Sequence, residues 1–218
     1  MRANGVAARG GDRETRQRLL EAAERLFAER GFKHVTVREI CQAAHANVAA
    51  VNYHFGDKLG LYREIVQSAI DRMRATTEAA REAGAGLPPE EQLRRYIMTV
   101  NRRLLEASDG TLQRVIVRET YDPTPALDAL VEQGLRPRFD HLSTLVARVI
   151  GCDVADPRVL RCAASIQAQT VAYLPNAVAD RIGTHTRLTT SRIDEIAAHI
   201  AEFSLAGLDA IRRARRRR

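Results

Sequence analysis

One stretch near the start of the chain decides the fold of the N-terminal region: Thr36 to Lys58, which reads TVREICQAAHANVAAVNYHFGDK. Thr36 and Glu39 have the Thr-x-x-Glu spacing of a capping box, so a helix is predicted to begin there. Asn47 is a good N-cap for a second helix that runs from Val48 to about Phe55. The stretch therefore predicts two short helices separated by a tight turn.

The apolar residues of both predicted helices recur at the spacing of a single buried face. The residues predicted to face inward are Val37, Ile40, Cys41 and Ala44 in the first helix and Val48, Val51 and Phe55 in the second. The residues left to face outward on the second helix are Ala49, Ala50, Asn52, Tyr53 and His54. Small residues let a helix approach base edges in the DNA major groove, and Asn, Tyr and His side chains reach bases or phosphates.

At these residues the chain resembles the TetR family of bacterial transcriptional regulators, whose DNA-binding domain has three helices followed by a Lys that opens a fourth. The matching residues are Thr36, Ile40, Ala43, Ala44, Tyr53, His54, Phe55 and Lys58. Upstream, Arg16 to Gly31 resembles the first helix of the family, with Gly31 at its end. The resemblance extends from about Arg13 to Met73, and NVAAVNYHFGDK resembles the CecR-like subgroup in particular.

The resemblance implies a sequence-specific regulator that reads a palindromic double-stranded operator through the helix-turn-helix motif at 36–55. The residues expected to contact DNA are Thr36, Arg38, Asn47, Val48, Ala49, Ala50, Asn52, Tyr53, His54 and Lys58. Lys58, with the N-terminus of the fourth helix behind it, is expected to hold a phosphate.

Two residues depart from the family pattern. His45 stands in the turn where the family usually has Gly, because that position often needs a left-handed backbone, which His tolerates less well. Asn52 stands where Tyr is common and often touches a phosphate. Because Asn can make bidentate contacts to adenine, this departure bears on which operator is read.

The rest of the chain keeps helical periodicity, and no segment alternates with period two, which predicts an all-α fold of nine or ten helices. Asp57, Asp156-Pro157 and Thr189 are predicted helix starts, and Pro137 predicts a kink or a break. The expected organisation is a flexible N-terminal arm, a three-helix DNA-binding domain, a larger helical domain for ligand binding and dimerisation, and a basic C-terminal tail. Their ranges are 1–12, 13–73, 74–211 and 212–218.

In TetR-like proteins the central helices enclose a ligand pocket, and the resemblance implies a repressor that an unidentified small molecule releases from its operator. The candidate ligand-binding residues are polar groups on otherwise apolar faces: Tyr96, Asn101, Arg118, Glu119, Tyr121, His141, Gln167, Gln169 and Tyr173. Each also has an interpretation as a satisfied buried group or a surface residue, whereas the set is typical of a mostly apolar cavity with a few hydrogen-bonding groups. The segment from Glu119 to Pro125 and the predicted kink at Pro137 also resemble CecR-like regulators.

The resemblance further implies a homodimer through the last two long helices, about 157–174 and 191–212. Small residues along them allow close helix approach: Ala163, Ala164, Ala168, Ala197, Ala198, Ala201 and Gly207. The alternative is that these helices pack only inside one subunit. A two-fold dimer is what a palindromic operator requires.

The net charge of +7 is unevenly distributed. Residues 1–63 hold 11 Lys and Arg against 7 Asp and Glu, residues 64–211 hold 17 against 20, and residues 212–218 add six Arg. This pattern favours a DNA reader attached to a domain with another task. No apolar run approaches the ~18 residues that span a bilayer, and no secretory segment precedes the first helix, so a cytoplasmic location without membrane contact is expected.

Other functions remain as alternatives. An architectural protein that binds nucleic acid without sequence preference would use the Arg-rich tail, and the N-terminal arm could enter a minor groove. An enzyme is disfavoured because no Gly-rich phosphate loop and no nucleophile beside a base is found. Cys41, His45 and His54 could be imagined as zinc ligands, but two clear ligand pairs are missing. No cofactor, metal or catalytic residue is therefore expected, and a redox pair of Cys152 and Cys162 is disfavoured.

Overall fold

The computed structural model describes residues 4–106, 110–174, 181 and 188–217. All regular structure in these ranges is helical, which confirms the predicted all-α class. The helices are α1 (Asn4–Arg30), α2 (Val37–Ala43), α3 (Val48–Phe55), α4 (Lys58–Ala83), α5 (Pro89–Leu105), α6 (Thr111–Tyr121), α7 (Leu127–Leu130), α8 (Arg136–Ile150), α9 (Pro157–Ala172) and α10 (Thr190–Arg216). Within the same ranges, no helix combines the length and the apolar character that crossing a bilayer demands.

The chain forms two compact units. The first comprises Met1–Asp71 and Thr111–Val131, and the second comprises Arg72–Gly110 and Glu132–Arg218. Helix α4 runs from the first unit into the second along the chain. Residues 74–211 are predicted above as the ligand-binding and dimerisation domain, whereas the structure groups 111–131 with α1, α2 and α3. The reason is that α6 packs against α1.

The core of the first unit is built from one face of each of its first four helices. Phe27 of α1 is fully buried, and its ring meets the ring of Tyr62 at 5.2 Å and 90°. The other fully buried side chains of this core include Leu19 and Ala23 from α1, Ile40 from α2, Val51 from α3 and Leu61 from α4. Burying each large aliphatic side chain contributes about 1.5–3 kcal/mol, so this core fixes how α2 and α3 are presented.

Two charged residues at the C-terminal end of α6, Arg118 and Asp122, attach this helix to α1 and to the segment that follows α1. The Arg118 guanidinium donates to the carbonyl oxygens of Ala28, at 2.8 Å, and of Glu29, at 2.5 Å, which are near the C-terminus of α1. A cation is favourable there because the last carbonyls of a helix lack intrahelical partners. Lys33 also pairs with Asp122 at the end of α6.

Glu119 is almost completely buried, with 1% of its surface exposed. The Tyr62 hydroxyl donates to its Oε2 at 2.6 Å, and the backbone N–H and Oγ1 of Thr124 donate to its Oε1 at 2.8 and 2.9 Å. Burial, followed by the hydrogen bond and the negative charge of Glu119, raises the pKa of Tyr62 well above its ordinary value. The carboxylate therefore ties α6 to α4 and to the turn that follows α6.

The second unit packs α10 against α5 and α8, with α9 beside α8. Its deepest side chains include Leu93, Ile97, Ile150 and Ile200. The predicted interruption near Pro137 is confirmed, because Val131–Leu135 forms a π-helical turn and α8 begins immediately after it.

The predicted helix starts at Asp156 and Thr189 are confirmed. Asp156 accepts from the N–H of Arg158 at 2.9 Å, and Thr189 accepts from that of Arg192 at 3.3 Å. Both ends of the chain differ from expectation. Residues 4–12, expected as a flexible arm, belong to α1, and α10 continues through the expected basic tail as far as Arg216.

Candidate DNA-binding surface

Helix α2 begins with the predicted capping box. The N–H of Glu39 donates to Thr36 Oγ1 at 3.3 Å, and the N–H of Thr36 donates to Glu39 Oε2 at 2.8 Å. Arg30 adds a hydrogen bond to Glu39 Oε1 at 2.7 Å. The bonds from Thr36, then the one from Arg30, lower the pKa of Glu39 to about 2. The start of α2 is thus fixed by local partners and anchored to the end of α1.

The turn between α2 and α3 has the left-handed residue that the family pattern indicates. His45 has φ 49°, the only positive φ at a non-glycine residue in the described part of the chain. Arg18 donates to the carbonyl oxygen of Ala44 at 3.2 Å, and Asn47 Oδ1 accepts from the N–H of Ala49 at 3.0 Å. The bond from Arg18 fixes the end of α2 at the turn, and the bond to Asn47 caps the start of α3.

Replacing His45 by glycine is expected to raise the free energy of unfolding by up to about 1 kcal/mol. A side chain in the left-handed region costs roughly 1–2 kcal/mol, which glycine would not pay. The greater conformational entropy of glycine in the unfolded chain offsets about 0.4–1 kcal/mol of this gain. Urea denaturation of the wild type, His45→Gly and His45→Ala measures the effect. A glycine variant no more stable than the alanine variant would show that the backbone at residue 45 carries no strain.

One face of α3 is open to solvent. Tyr53 is 76% exposed, and Ala49 and Asn52 are exposed beside it, whereas Val51 is fully buried on the opposite face. Val48, which the sequence analysis oriented inward, is 44% exposed because it starts the helix at the edge of the core. Ala50 is half-buried. The exposed face combines small residues at the start of the helix with hydrogen-bonding side chains at its end.

The outward orientation predicted for His54 does not occur. Only 7% of its side chain is exposed, and its Nε2 lies 3.4 Å from Oδ1 of Asp12 on α1. Phe55 beside it carries the guanidinium of Arg16 over its ring, at 5.2 Å from the centroid. His54 therefore attaches α3 to α1 rather than presenting a side chain to a ligand.

Lys58 also has a local structural partner. Its Nζ donates to the carbonyl oxygen of Val35 at 2.7 Å and lies 4.2 Å from the centroid of the Phe32 ring. Burial lowers the pKa of Lys58, and the negative charge of Glu39 opposes this effect. The ammonium group thus binds the segment before α2. Its positive charge lies at the N-terminus of α4.

The remaining predicted contact residues lie at the starts of α2 and α3. Thr36 and Arg38 are exposed at the start of α2, and Asn47 is exposed at the start of α3. Helix N-termini present backbone N–H groups that suit phosphates.

The imagined zinc ligands do not converge. Cys41 is 3% exposed, in the core of the first unit, where burial raises the pKa of its thiol, whereas His45 is exposed. In the described ranges, no three His, Cys, Asp or Glu side chains gather as a metal site would require.

The candidate ligand residues fall into separate places. Tyr96, Asn101 and Gln167 line one small cavity of about 20 Å³ in the second unit. Asn101 is 1% exposed; its Nδ2 donates to the carbonyl oxygen of Ile97 at 2.8 Å, and its Oδ1 has no hydrogen-bond partner among the described residues. The ring of His141 meets that of Tyr96 edge-on at 5.4 Å. Tyr96, Asn101 and Gln167 thus share one cavity, and His141 contacts its lining through the ring of Tyr96.

The other candidates lie elsewhere. Arg118 and Glu119 are held in the first unit by the bonds described above, and Tyr121 is 87% exposed at the end of α6. Gln169 donates to Ser204 Oγ at 3.1 Å between α9 and α10, and Tyr173 ends α9. Sequence periodicity could not separate these residues from the cavity lining, because it identifies a buried face but not the partner across it.

Two family models match the chain. The model of bacterial regulatory proteins of the tetR family matches residues 19–65, and the model of the C-terminal domain of the HTH-type transcriptional dual regulator CecR matches residues 89–208. The chain belongs to the TetR family. Like the other members, this regulator is a DNA-binding transcriptional regulator, and the resemblance to the CecR-like subgroup is confirmed.

The relatives agree with this assignment. CecR of Shigella flexneri is 32% identical over 184 residues, which cover 80% of this chain and 79% of that protein. The TetR-family regulator PfmR from Thermus thermophilus has a TM-score of 0.64 at 22% identity over 86% of this chain and 94% of its own. AibR, solved with isovaleryl coenzyme A and operator DNA, has a TM-score of 0.65 at 19% identity over 87% and 97%. At these identities the two structures show the shared fold.

Proposed function

We propose that this TetR-family regulator binds a palindromic operator as a homodimer and that a small molecule releases it. The proposal that the protein reads DNA is supported by the solvent-exposed face of α3, which contains Ala49, Asn52 and Tyr53. Ala49 lets the helix approach base edges, and Asn52 and Tyr53 supply hydrogen bonds. A short helix of this kind fits the major groove. Thr36, Arg38 and the N-terminus of α4 at Lys58 supply phosphate contacts that set its register.

The dimer rests on the outer faces of α9 and α10. Leu160, Val171 and Phe203 are 59%, 47% and 64% exposed, and small residues such as Ala164 and Ala168 lie between the first two. A groove of about 530 Å³ between these helices is lined by Phe203, Leu208 and Ile211 among others. A second copy, related by a two-fold axis, would cover both faces at once and complete a four-helix bundle.

The effector site is the cavity at Tyr96, Asn101 and Gln167. Its support is the Oδ1 atom of Asn101, because a buried acceptor without a partner costs about 1–3 kcal/mol unless a ligand or a water satisfies it. The present cavity is about the size of one water molecule. An effector would therefore have to enlarge it, which supplies the shape change that releases the operator. AibR, with the same fold, was solved with a coenzyme A ester and operator DNA.

Selection of bound DNA from a random pool by the full-length protein tests the operator. The expected product is an inverted repeat whose half-sites lie about one helical turn apart. Removing residues 213–218 is expected to leave the enriched motif unchanged, whereas a non-specific binder that relies on its Arg-rich end would lose its binding. Recovery of no enriched motif would contradict the operator proposal.

Replacing Tyr53 by alanine is expected to weaken binding to the selected operator about ten-fold or more, because each lost base or phosphate contact costs about 1–3 kcal/mol and occurs in both half-sites. Asn52→Ala should in addition relax the base preference. Fluorescence anisotropy at fixed salt measures both effects. Tyr121→Ala, which removes an exposed tyrosine of α6, is the matched control. Equal losses for Tyr53→Ala and Tyr121→Ala would exclude the α3 face as the reading surface.

A further inference from the structure

A second cavity in the second unit has a different chemical character. It has a volume of about 270 Å³ and lies among the end of α4, the start of α5 and the middle of α8. Its lining contains three basic or imidazole side chains, Arg81, His141 and Arg148, together with Gln92 and Thr144. No Asp or Glu belongs to the lining. Ala80, Ala85 and Leu145 supply an apolar wall.

The positive charge of this cleft is only partly compensated. Arg148 donates to Gln92 Oε1 at 2.8 Å and forms no ion pair within the described ranges. Arg81 pairs with Glu78 at 3.1 Å, outside the lining. Because a guanidinium carries five N–H donors, Arg148 keeps most of its donors for another acceptor. The side-chain amide of Gln92 is less available to bind a ligand, because its Nε2 already donates to the carbonyl oxygen of Leu87 at 2.6 Å.

His141 is the third of the basic or imidazole side chains that line this cleft. Burial, and then the charge of Arg81, lower the pKa of its imidazole, while Glu78 opposes this effect. A lowered pKa favours the neutral ring, which can donate one N–H to a bound oxygen. The ring also packs edge-on against Tyr96, so the cleft lining touches the lining of the Asn101 cavity.

We propose that the cleft formed by Arg81, His141 and Arg148 binds the anionic group of a small molecule, a carboxylate or a phosphate. Arg148 is the main ligand, because a guanidinium can hold two oxygens of either group by parallel charge-assisted hydrogen bonds. The volume lies just below the usual range of ligand pockets, about 300–1,000 Å³, so the ligand is small or inserts only one end. The apolar wall of Ala80, Ala85 and Leu145 suits a short aliphatic segment attached to the anion.

Isothermal titration of the full-length protein with three probes tests this site: octanoate, its uncharged analogue octanamide, and inorganic phosphate. Octanoate or phosphate is expected to bind once per chain at millimolar concentration or below. Preference for octanoate identifies a carboxylate with an aliphatic tail, and preference for phosphate identifies a phosphorylated ligand. Binding of octanamide as tight as that of octanoate would overturn the anionic site.

Three variants locate the binding. Arg148→Gln is expected to weaken the binding of the preferred anion about ten-fold or more, because it removes a charge-assisted hydrogen-bonding group. Arg95→Gln, which removes an exposed arginine of α5 that pairs with Glu91, should leave the affinity within about two-fold, as expected for a surface ion pair. Arg81→Gln provides a second test if Arg148→Gln lowers the melting temperature. Equal affinities of all three variants, or no binding of either anion, would overturn the proposal, and neither result depends on DNA binding.

Discussion

Replacing Glu119 by alanine is expected to lower the free energy of unfolding by about 3 kcal/mol or more. The substitution removes the acceptor of three hydrogen bonds and leaves the buried Tyr62 hydroxyl and the half-buried Thr124 N–H without it. Each buried donor that loses its partner costs about 1–3 kcal/mol. The measurement is urea denaturation of the full-length protein, followed by circular dichroism.

Two conservative variants separate hydrogen bonding from packing. Tyr62→Phe removes one donor and keeps the ring against Phe27, so it should cost about 1 kcal/mol. Glu119→Gln keeps an acceptor for Thr124 and can still pair with the tyrosine hydroxyl, so it should fall between the wild type and the alanine variant. If Glu119→Ala costs no more than Tyr62→Phe, the carboxylate does not fasten α6 as the geometry indicates.

Local signals in the sequence predicted the local structure well. The capping box at Thr36 and the N-caps at Asn47 and Asp156 involve partners within a few positions along the chain. Such features need only a side-chain oxygen and a backbone N–H that are close in sequence, so the residue types identify them. The left-handed backbone at His45 was indicated by the resemblance to the TetR family. Helical periodicity likewise predicted buried positions such as Ile40, Cys41 and Val51, although Val48, which it placed inward, is 44% exposed.

Side chains with distant partners could not be predicted in this way. The sequence predicts Glu119 as a ligand group, but its partner Tyr62 is 57 positions away in the sequence. The sequence also predicts His54 as an outward DNA contact and Lys58 as a phosphate ligand, but His54 lies against Asp12 and Lys58 donates to the Val35 carbonyl. Periodicity places a polar residue on the border of an apolar face and says nothing about what lies across it. The grouping of α6 with α1, α2 and α3 could not be predicted for the same reason, since Arg118 reaches carbonyls of α1.

Replacing Phe203 by glutamate is expected to dissociate the proposed dimer and to weaken operator binding more than about 100-fold. Phe203 is 64% exposed, so a charge there is tolerated in the isolated chain, whereas the proposed interface would bury it. An uncompensated charge buried in an interface costs several kcal/mol, which corresponds to this change in affinity. Sedimentation equilibrium measures the association, and fluorescence anisotropy with the selected inverted repeat measures operator binding.

The control is Val154→Glu, which places the same charge on another exposed apolar residue, in the loop before α9 and away from the groove. Because a two-fold interface contains each residue twice, Phe203→Glu also sets two like charges into one contact region, and its effect on association should exceed that of a one-sided substitution. Binding to a single half-site should change little, since α3 is left intact. A Phe203→Glu protein that remains dimeric and binds the full repeat normally would place the dimer interface elsewhere than on α9 and α10.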